Sequence, residues 1–126
     1  MIGSIDVKSQ VEDSVLILIL SYNSDVLAGR ESSQELADRL LETYGARNTK
    51  EVGSSCVIEI RSPVASSSLI RALFDLWKSV TASSGELRIV GYPKDYTDSL
   101  TSLGITSLKG FVLSQSREAA LKSLRP

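Results

Sequence analysis

The chain has 126 residues, close to the usual size of one domain, so a single hydrophobic core spanning residues 1–126 is expected. Apolar residues make up 42%, charged residues 23% and the net charge is -1, which excludes a disordered composition and gives no clustered-cation footprint for nucleic acid. Histidine is absent and there is one cysteine, Cys56, which removes Ser-His and Cys-His nucleophile pairs, an internal disulfide and the usual ligand set of a zinc site. No glycine-rich phosphate loop appears, because the eight glycines are scattered singly. No catalytic residue, cofactor or metal is therefore expected, and the chain reads as a binder rather than an enzyme.

Ile5, Val7 and Val11 alternate with Asp6, Lys8 and Gln10, the pattern of a half-exposed strand. Glu12-Asp13-Ser14 reads as a turn. Val15 to Leu20 follows as a wholly apolar strand, buried on both faces. The short link between the two implies an antiparallel hairpin. The apolar run is also far shorter than the roughly 20 residues of a membrane span. Met1 to Asp6 lacks the features of a signal peptide, so a cytoplasmic location is the default expectation. Ser21 to Glu31 is polar and reads as a long loop. Ser32 and Glu35 have capping-box spacing, so a helix is expected to start at Ser32. Leu36, Ala37, Leu40, Leu41 and Tyr44 share its apolar face, and Gly45 is placed to close it as a left-handed cap. Cys56 to Ile60 is rich in β-branched residues and reads as the next strand.

Ser66-Ser67-Ser68 opens a second helix after Pro63. Leu69, Leu73, Leu76, Trp77 and Val80 form its apolar stripe, with Arg71, Asp75 and Lys78 on the wet side. Leu87, Ile89 and Val90 make a strand. Pro93 suits a first helical position, Tyr96, Leu100 and Leu103 suit one face, and Gly104 suits the end. Ile105 is expected to pack back on the core. Phe111-Val112-Leu113 is a short strand, and Ser116 can cap a last helix carrying Ala120, Leu121 and Leu124. The order is β-β-α-β-α-β-α-β-α. It implies an α/β fold whose sheet is mostly parallel, with an antiparallel first strand and helices packed on it.

Three local features fall on this order. Ala65-Ser66-Ser67-Ser68-Leu69 precedes the long second helix. Tyr92-Pro93 leads a short helix ending at Leu103-Gly104-Ile105. Phe111-Val112-Leu113 is followed by Ser116 to Leu121. Together they resemble the STAS domain, the family of sulphate transporter and anti-sigma factor antagonist modules, over essentially the whole chain. They resemble, in turn, its Asp-Ser-Ser-Gly-Leu motif, its Pro…Leu…Gly-Leu segment with one residue extra, and its final strand and helix. The resemblance implies a protein-interaction module that binds a GHKL-type anti-sigma factor and serine kinase, or a signalling complex. It implies Ser66 as the phosphoacceptor, with a partner docking around Ser67, Ser68 and Arg71. Two positions depart from the motif: Ala65 stands where the family has Asp, and Ser68 where it has Gly. A module that binds a small apolar or anionic ligand between the sheet and the Ser66 helix, without phosphorylation, is the alternative. The oligomeric state is not legible.

Each of these residues also has a plainer role. Serine is a preferred N-cap, so the cluster at 66–68 would arise from capping alone. Phe74 and Trp77 fit core packing better than a ligand platform, with Trp77 at the rim. Cys56 reads as an inert small hydrophobe. Asp95 and Asp98 suit the first turn of a helix, and Lys94 and Arg88 are too isolated to define an anion site. Tyr22, Asn23 and Asp25, on the connection after a central strand, are candidate partner contacts, because such loops often carry function.

Overall fold

The computed structural model describes residues 5–22, 30–47, 50–61, 67–94 and 97–124. Strands β1 (Ile5–Glu12) and β2 (Val15–Tyr22) pair antiparallel, from Ile5 opposite Tyr22 to Glu12 opposite Val15. That register leaves only Asp13 and Ser14 for the turn, and both have positive φ, 52° and 62°. Two successive left-handed residues are the pattern of the type I′ turn, whose twist suits a tight hairpin. Asp supplies one of them at low cost because its short polar side chain tolerates this region.

The chain continues with α1 (Arg30–Gly45), β3 (Cys56–Ile60), α2 (Ser67–Ala82), β4 (Leu87–Val90), α3 (Thr97–Ser102), a 3-10 turn at Ile105–Ser107, β5 (Phe111–Ser114) and α4 (Arg117–Leu124). The sheet runs β1-β2-β3-β4-β5, and β2 to β5 are mutually parallel. This is the α/β order expected from the sequence. Every parallel crossover moves the same way across the sheet, and right-handed connections then place the crossover helices on one face. Alternation along β2 sends Leu16, Leu18 and Leu20 into the core they share with α1 and α2, and Ile17 into a smaller cluster with Ala120 and Leu121 of α4. Leu69, Ala72, Leu73, Leu76 and Val80 of α2 are all fully buried, which is the stripe the spacing predicts, with Ala72 added to it.

Four local expectations are corrected. The segment read as a loop from Ser21 to Glu31 is shorter. Ser21 and Tyr22 belong to β2, because Asp6 and Ile5 of β1 offer them ladder partners. Helix α1 starts at Arg30, so Ser32 lies inside it rather than capping it. Arg30 and Glu31 are fair helix formers, and extending an existing helix adds a hydrogen bond per residue fixed. Gly45 is still helical and its φ is not positive. The Arg47 guanidinium closes that end instead, donating to the Tyr44 carbonyl at 3.1 Å and lying 4.0 Å above the Tyr44 ring centre.

The fourth correction concerns Pro93, which stays outside α3; that helix begins at Thr97, whose hydroxyl donates to the Lys94 carbonyl at 2.9 Å. α3 ends at Ser102, so the helical period stops before Leu103, which is 64% exposed, while Leu100 and Ile105 take the buried positions. Gly104 turns the chain with φ 74°, in the left-handed region. Ser116 caps α4 as expected, its Oγ accepting from the Ala119 N–H at 3.1 Å.

Candidate functional site

Because β2 to β5 are parallel, their carboxyl ends share one edge of the sheet. Tyr22 ends β2 there, Arg61 follows β3, Gly91-Tyr92-Pro93-Lys94 follows β4, and Gln115 follows β5. α2 begins from the same edge at Ser67. Gly91 makes the close approach possible. Its φ is 77°, and a Cβ at this position would stand 2.4 Å from the Ile60 carbonyl oxygen. A side chain therefore has neither the conformation nor the space.

Tyr22 and Tyr92 are both 8% exposed. Burial pushes the Tyr92 phenol up to about 12. Burial also raises Tyr22, with Tyr92 as a contributing neighbour. At both positions burial favours the protonated phenol. The sequence placed Tyr22 on a partner-facing loop. The structure places it at the end of β2, 8% exposed.

Of the other candidate residues, Ser67 and Ser68 are the first two of α2, where backbone N–H groups lack intrahelical partners and the helix dipole favours negative charge. Arg71 is exposed on α2, one turn on from position 67 and on the same side of the helix. Ser66, Asn23, Asp25 and Asp95 lie outside the described residues. Arg88 and Lys94 are not brought together. Arg88 is 6% exposed beneath α4, donating from Nε to Ser123 Oγ at 2.9 Å and from Nη2 to Glu86 Oε1 at 3.0 Å, whereas Lys94 is exposed after β4. A cavity of about 530 Å³ lies between the ends of β4 and β5 and the start of α3, with Tyr92 and Lys94 among its lining residues.

Cys56 is fully buried, and burial pushes its thiol up to about 12. We expect a thiol reagent such as 5,5′-dithiobis(2-nitrobenzoate) to leave the native protein unmodified and to react stoichiometrically in denaturant. Rapid native labelling would contradict this. Trp77 is half-buried; its indole N–H donates to the Lys109 carbonyl at 2.9 Å and its ring lies 5.4 Å from that of Phe74. It ties α2 to the turn before β5, a packing role.

One cluster had no signal in the sequence. Glu59 accepts from Arg61 through Oε1, at 2.8 Å from Nη2, and from Arg117 Nε through Oε2, also at 2.8 Å. Arg117 in turn reaches Glu12 at 3.5 Å. Glu12, Glu59 and Arg117 are far apart in the chain, and only the fold brings them together; Arg61 joins them from two residues beyond Glu59. Burial by itself would raise the Glu59 carboxyl, but the hydrogen bonds from Arg117 and Arg61 outweigh it and hold the group below its ordinary 4.5. A carboxylate depressed by folding stabilises the fold fully above that ordinary value and loses the contribution as pH falls through the folded one. The stability gap between wild type and Glu59→Gln should therefore be widest at neutral pH and shrink below about pH 4.5. Urea titrations across pH would check this; a gap that grew in acid would contradict it.

Among the described residues no helix is long and apolar enough to cross a membrane. No family model and no curated protein matches the sequence. Among solved structures the chain is similar to the anti-sigma factor antagonist SpoIIAA in its unphosphorylated form, with a TM-score of 0.55 over 97% of this chain and 98% of that one, at 8% identity. The fold is STAS-like.

Proposed function

We propose that the chain is a protein-interaction module of the anti-sigma factor antagonist type, one module over residues 1–126, acting in the cytoplasm by binding rather than catalysis. Its partner is a GHKL-type anti-sigma factor and serine kinase, or a signalling complex that regulates transcription. The observation that carries this reading is the STAS-like fold, in which α2 starts at Ser67 directly after the Ser66 position. Partner contacts come from Ser67, Ser68 and Arg71, with Asn23 and Asp25 in the segment that follows β2 and Tyr22 at the end of that strand.

Ser66 is the proposed phosphoacceptor. A phosphate adds roughly -1.5 to -2 charge and, beside free N–H groups at a helix start, can reorganise docking. Ala65 replaces the motif carboxylate and so removes one group that would orient this serine. Docking without phosphorylation is the form of the proposal that survives if that loss is decisive.

The test is incubation with GHKL kinases and ATP, read by mass spectrometry and by a parallel binding assay. Complex formation supports the module, and phosphate on Ser66, absent in Ser66→Ala, supports the switch. Absence of any complex together with an unmodified Ser66 overturns the reading. Arg71→Glu should weaken a complex roughly tenfold, mainly by slowing association, since a rim charge acts on encounter. Unchanged association would remove Arg71 from the interface.

A further inference from the structure

We propose that the cavity at the ends of β4 and β5 binds a small organic anion, a carboxylate or phosphate ester attached to an apolar group. The proposal rests on residues other than those of the docking reading and stands or falls separately from it.

The cavity has a structural cause. α1 and α2 are each 16 residues long, whereas α3 has 6 and gives way to a 3-10 turn. The carboxyl ends of the last two strands are therefore left without a full helical cover. Gly91 deepens the gap by turning the chain sharply after β4, so that Tyr92 and Lys94 flank it rather than fill it. The resulting space, about 530 Å³, falls within the roughly 300–1,000 Å³ of small-molecule sites.

Its chemistry is divided. Ile89 and Leu113 are register partners on adjacent strands and line one part together. Ile89 is wholly shielded from water and Leu113 is half-buried against the main core, so Leu113 supplies the accessible apolar floor with Ile89 behind it. Tyr92 adds a buried aromatic wall whose hydroxyl has no hydrogen-bond partner among the described residues. Ser114 and Gln115 bring a hydroxyl and an amide that can donate, while the Thr97 hydroxyl already donates to the Lys94 carbonyl and can only accept. Lys94 is the one charged residue among the described lining, and it is exposed. No carboxylate stands among those residues to neutralise it. An apolar floor, neutral donors and a lysine match a ligand with an apolar body and an anionic head. A cationic ligand would meet the wrong sign, and a bare inorganic anion would leave the floor unused.

The test is a titration of the ¹⁵N-labelled full chain followed by NMR, with phenyl phosphate, benzoate, benzyl alcohol and inorganic phosphate as separate probes. Phenyl phosphate or benzoate should shift the amides of Gly91, Tyr92, Thr97 and Gln115, and the tighter of the two identifies the head group. Benzyl alcohol and inorganic phosphate should each bind at least about tenfold more weakly, because each lacks one half of the match. Lys94→Gln should weaken the anionic probe by about tenfold and leave benzyl alcohol unchanged, and Lys94→Arg should restore binding. Lys94 is exposed, so neither variant threatens the fold. Arg71→Glu, outside the cavity, should leave the titration unaltered, which separates this site from partner docking. Equal binding of benzyl alcohol and the anions, indifference to Lys94→Gln, or the absence of shifts at these amides would overturn the proposal.

Discussion

Alanine at Gly91 is expected to lower stability by about 2–4 kcal/mol, the sum of a left-handed residue that gains a Cβ and a steric conflict that backbone must absorb. The φ of 77° is the first part. The second is the Ile60 carbonyl oxygen, 2.4 Å from where the new methyl would sit. That oxygen belongs to the end of β3, where the next N–H, that of Arg61, already donates to the Leu20 carbonyl at 2.9 Å, so it cannot retreat without loosening the seam between β2 and β3. Urea denaturation measures the loss. Gly53→Ala is the control, because nothing lies within 4 Å of its added Cβ and its φ is not positive. Equal stability of the two variants would show that β3 and β4 approach each other less closely at Gly91.

Leu73→Ala is the second large effect, expected to cost about 2–5 kcal/mol by lost burial and the cavity left behind. Leu73 is wholly shielded from water, in the middle of the stripe that seats α2. Ile70, on the same helix, is only half-buried and packs at the margin of the core. Less of its surface is withdrawn from water, so Ile70→Ala should cost distinctly less. The comparison in one urea series checks the point, and a larger loss at position 70 would mean that α2 is rotated about its axis. The same helix carries Ser67, Ser68 and Arg71, the residues proposed for partner contact.

The strands were legible because alternation and β-branched runs are local. Cys56 to Ile60 and Leu87 to Val90 could be bounded to the residue. The stripe of α2 was legible for the same reason, its period being repeated along the helix. The ends of elements were not. Whether Ser21 and Tyr22 belong to a strand depends on Ile5 and Asp6, a pairing that no window around residue 21 contains. Whether Gly45 adopts a left-handed cap depends on Arg47, which closes the helix by another route. Leu103 looked like a core residue because its spacing continued a helix that stops one residue earlier.

The site was legible in part. Ser67, Ser68 and Arg71 could be placed at the start of α2 from the sequence. That Tyr22 and Tyr92 stand close enough for one phenol to influence the other could not, since they are 70 positions apart in the chain. The cavity beside Lys94 was equally hidden, because it arises from the shortness of α3 and not from any motif.

The sheet order repeats the order of the chain, β1 through β5 without exception. From β2 onward, each strand leaving the ribosome therefore finds a neighbour already made. The hairpin of β1 and β2 needs only a two-residue closure, which forms within microseconds, far faster than residues are added at roughly 5–20 per second. Each later strand extends an existing edge, and only β1 waits for a partner, two residues away in the chain. Assembly can be vectorial, and the edge completed last is β5, beside the cavity.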